Sequence, residues 1–364
     1  MKLQVTQENL HKALGIVTKA STSRGTLPIL ANVMIKVDNN RLSLSATNLD
    51  IAITEFLGAK VEEEGSITVP ARLMQDFISS LPGGVIDLKL DEFRLHIATD
   101  QYKSVINGVS AEDFPVMPTI TEGKTWSIQS SVLKKALAQV IMAASTDEAR
   151  PVLTGVLLHT IEGRLYMAAT DSYRLAEKEL MAYDGEPIEM LIPVNAMQDL
   201  NRIVSDFEGD VVVTSDEQQV LFQVGDVELV TRLIEGRYPD YRKLIPDTFA
   251  TTAALKRSDF MNVTKVSSLF ARESAGSITI NVDEDASELT IKSIASQLGE
   301  NNAKATAAVT GSGSITLNSR YLMDALHALG GEDVTFSFNG KLEPTVIKDP
   351  GAADYVHIVM PLKS

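Results

Sequence analysis

The chain contains no cysteine, which excludes disulfides, thiolate metal sites and cysteine nucleophiles and suits a reducing cytosol. Aromatic residues are scarce, at 5% with a single tryptophan, so base stacking along a single nucleic-acid strand is not indicated. Five histidines, His11, His96, His159, His327 and His357, are scattered without metal-ligand spacing. Gly311-Ser312-Gly313-Ser314 lacks the lysine of a phosphate-binding loop, and Gly-x-Ser-x-Gly does not occur. Carboxylates are plentiful but show no clustering that requires magnesium. No unbroken apolar stretch is long enough to cross a bilayer. The opening Met1-Lys2-Leu3-Gln4-Val5-Thr6-Gln7 is too polar for the core of a signal peptide. These absences predict a soluble, cytoplasmic protein with no catalytic residue, metal or cofactor.

What is present is an ordinary globular mixture, 44% hydrophobic and 22% charged over 364 residues, with room for two or three domains. The net charge of −15, taken whole, argues against a nucleic-acid partner. A whole-chain charge misleads, however, where the two signs sit on different faces.

Three kinds of segment recur at about the length of one small domain. The first is an apolar-periodic helix: Leu10, Ala13 and Leu14 followed by Ile16 and Val17, then Leu133, Ala136 and Leu137 followed by Val140 and Ile141, then Phe260, Val263, Val266, Leu269 and Phe270. Spacings of three and four put each set on one helical face. The second reads as a strand end turning into a short helix, at Val69-Pro70-Ala71-Arg72-Leu73-Met74, Ile192-Pro193-Val194-Asn195-Ala196-Met197 and Leu317-Asn318-Ser319-Arg320-Tyr321-Leu322. Pro70 and Pro193 stand 123 residues apart, and Pro193 and Asn318 stand 125 apart. The third is a proline-marked close, at Phe114-Pro115, Tyr238-Pro239 and Met360-Pro361. Alternating stretches such as Arg41–Ala46 and Ser277–Val282 read as half-buried strands, with turns at Asn39-Asn40, Gly83-Gly84 and Asp184-Gly185. The expected fold is α+β, three tandem copies of a domain with two helices on antiparallel sheets, over residues 1–122, 123–248 and 249–364.

Helical windows at 7–24, 70–81, 130–144, 193–204, 256–272 and 318–329 hold twelve bases and five acids. That surplus of seven leaves −22 on the rest of the chain's −15. Basic helices and acidic strands suit loose, sequence-independent contact with the phosphates of a duplex, while the acidic remainder repels stray nucleic acid. Lysine and arginine ordinarily solvate helix surfaces; it is the threefold repeat that tips the count toward DNA. Lys12, Lys134 and Lys135 enter as DNA-facing candidates on this argument alone.

The chain resembles the bacterial DNA polymerase III beta subunits, the sliding clamps, over nearly its whole length. The likeness rests on Thr26-Leu27-Pro28-Ile29-Leu30, Thr47-Asn48-Leu49-Asp50 and Ala169-Thr170-Asp171-Ser172-Tyr173-Arg174-Leu175-Ala176. It rests further on Gly236-Arg237-Tyr238-Pro239-Asp240-Tyr241-Arg242 and the closing Val359-Met360-Pro361-Leu362-Lys363. The resemblance implies a head-to-tail homodimer of six domains closing into a ring, with helices lining the hole. It implies a non-catalytic processivity factor that encircles duplex DNA and tethers the replicative DNA polymerase, a clamp loader and repair proteins.

By the same resemblance, Arg24, Arg72 and Arg150 lie at or near the hole. A partner-peptide pocket is formed by Leu153, Thr170, Ser172, Tyr173, Arg174, Leu175, Pro239, Lys243, Leu244, Val359, Met360, Pro361 and Leu362, with Arg174 and Lys243 expected to hold polar or acidic groups of the peptide. The dimer contact is expected around Ile106, against Leu269 and Phe270. Ser172 and Tyr173 stand where many relatives carry glycine and histidine, and Ser104 where they often carry an aromatic. A β-rich adhesion protein would instead predict a secretory signal and no basic helices. An unrecognised enzyme would need a polar cluster that the sequence does not display.

Overall fold

The computed structural model describes residues 1–22, 27–120, 122–295 and 299–362. One order of elements, a strand, a helix, a strand meander, a second helix and three strands, occurs three times, the meander of copy two having one strand fewer. Copy one runs β1 (Lys2–Thr6), α1 (Gln7–Val17), β2 (Asn32–Asp38), β3 (Arg41–Thr47), β4 (Ile51–Leu57), β5 (Lys60–Glu63) and β6 (Gly65–Pro70). It continues with α2 (Ala71–Ser80), β7 (Val85–Asp91), β8 (Arg94–Ala98) and β9 (Lys103–Asn107). Copy two runs β10 (Lys124–Gln129), α3 (Ser130–Val140), β11 (Gly155–Ile161), β12 (Arg164–Thr170), β13 (Arg174–Ala182) and β14 (Glu189–Pro193). Then come α4 (Val194–Ile203), β15 (Asp210–Ser215), β16 (Gln219–Val224) and β17 (Val227–Arg232). Copy three runs β18 (Thr251–Lys256), α5 (Arg257–Phe270), β19 (Ser277–Asp283), β20 (Glu288–Ala295), β21 (Gly299–Thr306) and β22 (Ala308–Thr310). It ends with β23 (Gly313–Asn318), α6 (Ser319–Ala328), β24 (Asp333–Phe338), β25 (Thr345–Lys348) and β26 (Tyr355–Val359).

Two compact units result, residues 1–134 with 195–233 and residues 135–194 with 234–364. They do not follow the repeat, because strand pairing runs through it. In the first unit β17, the last strand of copy two, pairs antiparallel with β4 of copy one, making the eight-stranded sheet β10-β15-β16-β17-β4-β3-β2-β6. In the second unit β26, the last strand of copy three, pairs in the same way with β13 of copy two, within a nine-stranded sheet. Each unit also has a smaller sheet, β5-β1-β7-β8-β9 in the first and β21-β20-β19-β23 in the second.

Local chemistry explains the elements. Leu10, Ala13, Leu14 and Val17 of α1 are all buried, against α2 and strands β3 and β4, and a fully buried leucine contributes roughly 2 kcal/mol. The Gln7 amide, buried at the foot of α1, donates to the Ile78 carbonyl of α2 at 2.8 Å. Helix α1 is shorter than the 7–24 window. It ends at Val17, where the Thr18 hydroxyl donates back to the Leu14 carbonyl at 2.6 Å and a 3-10 turn follows. Helices α2, α4 and α6 begin directly after Pro70, Pro193 and Asn318 as expected, and the Asn318 side chain caps α6 by accepting from Arg320 N–H at 2.9 Å.

Helix α5 departs from its expected face. Its buried residues are Phe260, Thr264 and Ser267, while Val266 and Leu269 are 46% and 50% exposed. Small polar side chains pack inward here, while Val266 and Leu269 of the expected apolar face are exposed, Leu269 at the position expected in the dimer contact.

The repeat extends to single hydrogen bonds. In copy one, Thr47 Oγ1 accepts from Leu49 N–H at 3.0 Å and donates to the Ile51 carbonyl at 2.9 Å, while Asn48 Oδ1 accepts from Asp50 and Ile51. In copy two, Thr170 Oγ1 accepts from Ser172 N–H and donates to the Arg174 carbonyl, while Asp171 Oδ1 accepts from Tyr173 and Arg174. Both loops place a side-chain-bearing residue in the left-handed region, Leu49 at φ 80° and Ser172 at φ 75°. That region costs an L-residue about 1–2 kcal/mol, and glycine, which enters it freely, loses roughly 0.5–1 kcal/mol of that gain to the entropy of the unfolded chain. Ser172→Gly is therefore expected to raise unfolding stability by about 0.5–1 kcal/mol, measured by urea titration; a loss of stability would refute the strain assigned to this loop.

Candidate partner-binding and DNA-facing sites

Most of the residues assigned to the partner pocket gather in the second unit. Leu153, at the 3-10 turn Pro151–Thr154, and Leu175, near the start of β13, belong to one buried cluster with Leu157, Tyr238, Tyr241, Val356 and Ile358. Val152, Ile245 and Met360 pack against it, partly buried. Above this floor Tyr173 is 61% and Leu244 47% exposed, and Pro239, Lys243 and Ser172 are exposed. The closing segment is held by its backbone. After the buried Val359, Met360 N–H donates to the Tyr173 carbonyl and Leu362 N–H to the Thr316 carbonyl, each at 2.8 Å. Met360, Pro361 and Leu362 are left half-buried. An apolar floor beneath a half-open rim of tyrosine, methionine and leucine is suited to apolar peptide side chains, and methionine tolerates varied ones.

Arg174, expected to hold polar or acidic groups of a peptide, is engaged within the chain. It is buried, its Nε bonds Asp171 Oδ2 at 3.1 Å, its Nη1 is paired with Asp324, and its guanidinium lies 4.6 Å over the Tyr321 ring. These contacts tie the Asp171–Tyr173 loop to α6 and engage two of the five guanidinium N–H donors. Lys243 is exposed and paired with Asp240 at 2.7 Å, a surface contact that exchanges easily. Thr170 is buried and donates its N–H to the Tyr238 hydroxyl at 2.9 Å.

Tyr238, Tyr241, Tyr321 and Asp324 lie in the quoted repeats and helical windows, but the sequence assigned none of them to the pocket. For Tyr238 a signal existed, since it precedes Pro239 as Phe114 precedes Pro115, and both rings are 6% exposed. The others are fixed by pairings across more than 60 residues, which local pattern does not carry.

Of the basic candidates, Arg24 lies outside the described residues. Arg72, in the first turn of α2, is almost fully exposed and only loosely engaged by Asp76 at 3.9 Å. Lys12, Lys135 and Arg150 are exposed and Lys134 is half-buried. Arg150 donates to Ser172 Oγ at 3.3 Å. Ile106 is buried within its own sheet, while its neighbour Val105 is 41% exposed. Phe270 is half-buried beside the exposed Leu269.

Glu55 of β4 is buried, and its Oε2 has no hydrogen-bond partner among the described residues. Burial pushes its carboxyl up to about 7, Lys12 of α1 pulls it down, and Asp226 adds to the rise. The matching position in copy two is Lys178, also buried but ion-paired with Asp354. His357 is fully buried, its Nδ1 sharing a 2.7 Å hydrogen bond with the Tyr355 hydroxyl, and burial drives its pKa down to about 3. Among the described residues no three acidic or histidine side chains gather to hold a metal, and no helix is long and apolar enough to cross a membrane.

Residues 1–118, 127–240 and 242–363 match the family models for the N-terminal, central and C-terminal domains of the DNA polymerase III beta subunit. The chain is 31% identical over 375 residues to the beta sliding clamp of Staphylococcus aureus (strain Mu50), covering all of both. It is 32% identical over 388 residues to that of Synechocystis sp., covering 100% of this chain and 99% of the relative. Among solved structures it is similar to the DNA polymerase sliding clamp of Bacillus subtilis, at TM-score 0.95 and 28% identity over 100% of this chain and 99% of that one. The sliding clamp of Bartonella birtlesii bound to griselimycin gives the same TM-score and identity over all of both chains. Three tandem clamp repeats with these likenesses define a DNA sliding clamp. The chain belongs to the DNA polymerase III beta subunit family.

The buried Glu55 gives that scaffold a pH dependence. A carboxyl whose folded pKa lies above its unfolded value binds its proton more tightly when folded. Its contribution is therefore fully present below about 4.5 and lost as pH rises toward 7. Glu55→Gln is expected to leave stability unchanged at pH 4.5 and to raise it by about 2–3 kcal/mol at pH 8. Urea titrations of both proteins at the two pH values check this, and a gain of equal size at both would refute it.

Proposed function

We propose that two chains join head to tail, β9 of one beside β21 of the next, and close into a ring around duplex DNA. The observation that carries this reading is the seam made twice within the chain, β17 on β4 and β26 on β13. In each, the last strand of one repeat pairs with the third meander strand of the repeat before it. The same rule applied to β9 and β21 leaves both as sheet edges among the described residues. Two chains therefore offer two complementary edge pairs. Val105 beside Ile106 on β9, and Val266 and Leu269 beside Phe270 on α5, supply exposed apolar surface for that contact. Head-to-tail contacts of this kind give closed assemblies when the rotation per repeat divides a full turn.

In this reading the repeats 1–122, 123–248 and 249–364 act as six domains, and Lys12, Arg24, Arg72, Lys134, Lys135 and Arg150 face the phosphates. A ring holds DNA topologically, so its contacts remain weak, water-mediated and sequence-independent, and the duplex slides. The protein works in the cytoplasm as a non-catalytic processivity factor, opened by a clamp loader. Through the apolar surface around Leu153, Leu175, Tyr173, Leu244 and Met360 it tethers the replicative polymerase, the loader and repair proteins. We assign griselimycin, bound in the sliding clamps of Pseudomonas aeruginosa and Bartonella birtlesii, to this same surface.

Retention on circular DNA after loading with the matching clamp loader and ATP, with rapid loss once the circle is cut, is the expected behaviour. Equal retention on both forms would sink the ring. Leu269→Asp, which would bury an unpaired charge in the contact, is expected to weaken dimerisation by at least about 100-fold, read by sedimentation; an unchanged dimer would place the interface elsewhere.

A further inference from the structure

The 3-10 turn Tyr241–Leu244 carries two residues of the proposed partner surface, Lys243 and Leu244, yet both are exposed. Its anchorage comes from beneath. Glu177, buried in β13, accepts through Oε2 from the Tyr241 hydroxyl and from Arg242 Nε at 2.8 Å. Tyr241 is 2% exposed within the floor cluster, and its hydroxyl also meets His159 Nε2 at 2.7 Å. Because that hydroxyl donates its proton to Glu177, it accepts from His159, which fixes the Nε2–H tautomer of the ring. Arg242 is clamped on its other side by the Tyr166 ring, 4.2 Å from the guanidinium carbon. A polar cavity of about 370 Å³, lined by Tyr166, Glu177, Arg242, Ile245 and Asp354 among others, lies beside this network. Apolar packing on that side of the turn is therefore incomplete, and the carboxylate replaces it.

We propose that Glu177 is a positioning residue for partner binding. Through Tyr241 and Arg242 it preorganises the turn that exposes Lys243 and Leu244 to a partner, without itself meeting that partner. The inference rests on the partner surface assigned above. Preorganisation removes an ordering cost that a ligand would otherwise meet on binding, so its loss appears as weaker affinity of a folded protein.

The test uses the full chain with griselimycin as probe, in isothermal titration calorimetry. Glu177→Ala is expected to weaken binding by about tenfold. Glu177→Gln, which keeps an oxygen for Tyr241, should recover most of that loss even where its melting temperature stays lowered; a role in bulk stability alone would not produce that split. Tyr241→Phe should weaken binding as Glu177→Ala does, and the double variant should lose no more than either single one. Tight wild-type binding with unchanged affinity in a folded Glu177→Ala would overturn this inference alone. Should Glu177→Ala fail to fold, unchanged affinity in Tyr241→Phe would overturn it equally. No binding by the wild-type chain would overturn the partner-surface assignment, and the inference with it.

Discussion

The seams between repeats are closed by backbone hydrogen bonds, and the remaining features depend on that pairing. In the first unit Ile51, Ile53 and Glu55 stand opposite Thr231, Leu229 and Val227; in the second Arg174 and Lys178 stand opposite Val359 and Tyr355. Backbone pairing places few demands on side-chain identity. One position can therefore hold a buried acid, Glu55, in one seam and a buried base, Lys178, in the other. The ladder survives the exchange, and neighbouring charges absorb it differently. Asp354 neutralises Lys178 directly, whereas Glu55 keeps an unpaired oxygen and a raised pKa.

The partner surface follows from the second seam. Pairing of β13 with β26 brings the Asp171–Tyr173 loop, which leads into β13, beside Met360, which follows β26, and the Met360–Tyr173 hydrogen bond continues the ladder by one step. Arg174 then ties the loop to Asp324 of α6. A site assembled from the ends of paired strands is rigid at its floor and adaptable at its rim, which suits a protein that serves several ligands in turn.

Much of the fold was legible because its signals are local. Pro70, Pro193 and Asn318 mark helix starts, Asn39-Asn40 forms a two-residue hairpin turn with both residues at positive φ, and α1 buries the face its spacing announced. What remained hidden is non-local. Nothing in the periodicity of β17 says that it pairs with β4, which lies more than 170 residues earlier, so the division into two compact units was not visible. Helix α5 misled because Thr264 and Ser267 pack inward while Val266 and Leu269 do not, and hydropathy alone assigns them the other way. In the proposed partner surface the aliphatic residues were named through resemblance, and the structure packs several of them into one cluster. The ion pairs of Arg174 and the Glu177 network were not anticipated, because long-range ion pairs leave no spacing to read.

The edges of β9 and β21, unpaired among the described residues, carry a further consequence. An open strand edge is a template for any other strand, and a chain not yet joined in the proposed ring presents two. The composition of these edges suits that hazard. Strand β21 reads Gly-Glu-Asn-Asn-Ala-Lys-Ala-Thr and β9 reads Lys-Ser-Val-Ile-Asn, both largely polar, with Glu300 and Lys304 on the first, Lys103 on the second and few bulky apolar groups. Such edges discourage amyloid-like stacking and indiscriminate annealing while leaving the backbone able to recognise a matching strand. In the proposed ring Ser104 fits the same compromise: an aromatic there would strengthen the intended contact and the unintended ones together, and serine would trade some grip for a lower tendency to anneal before assembly.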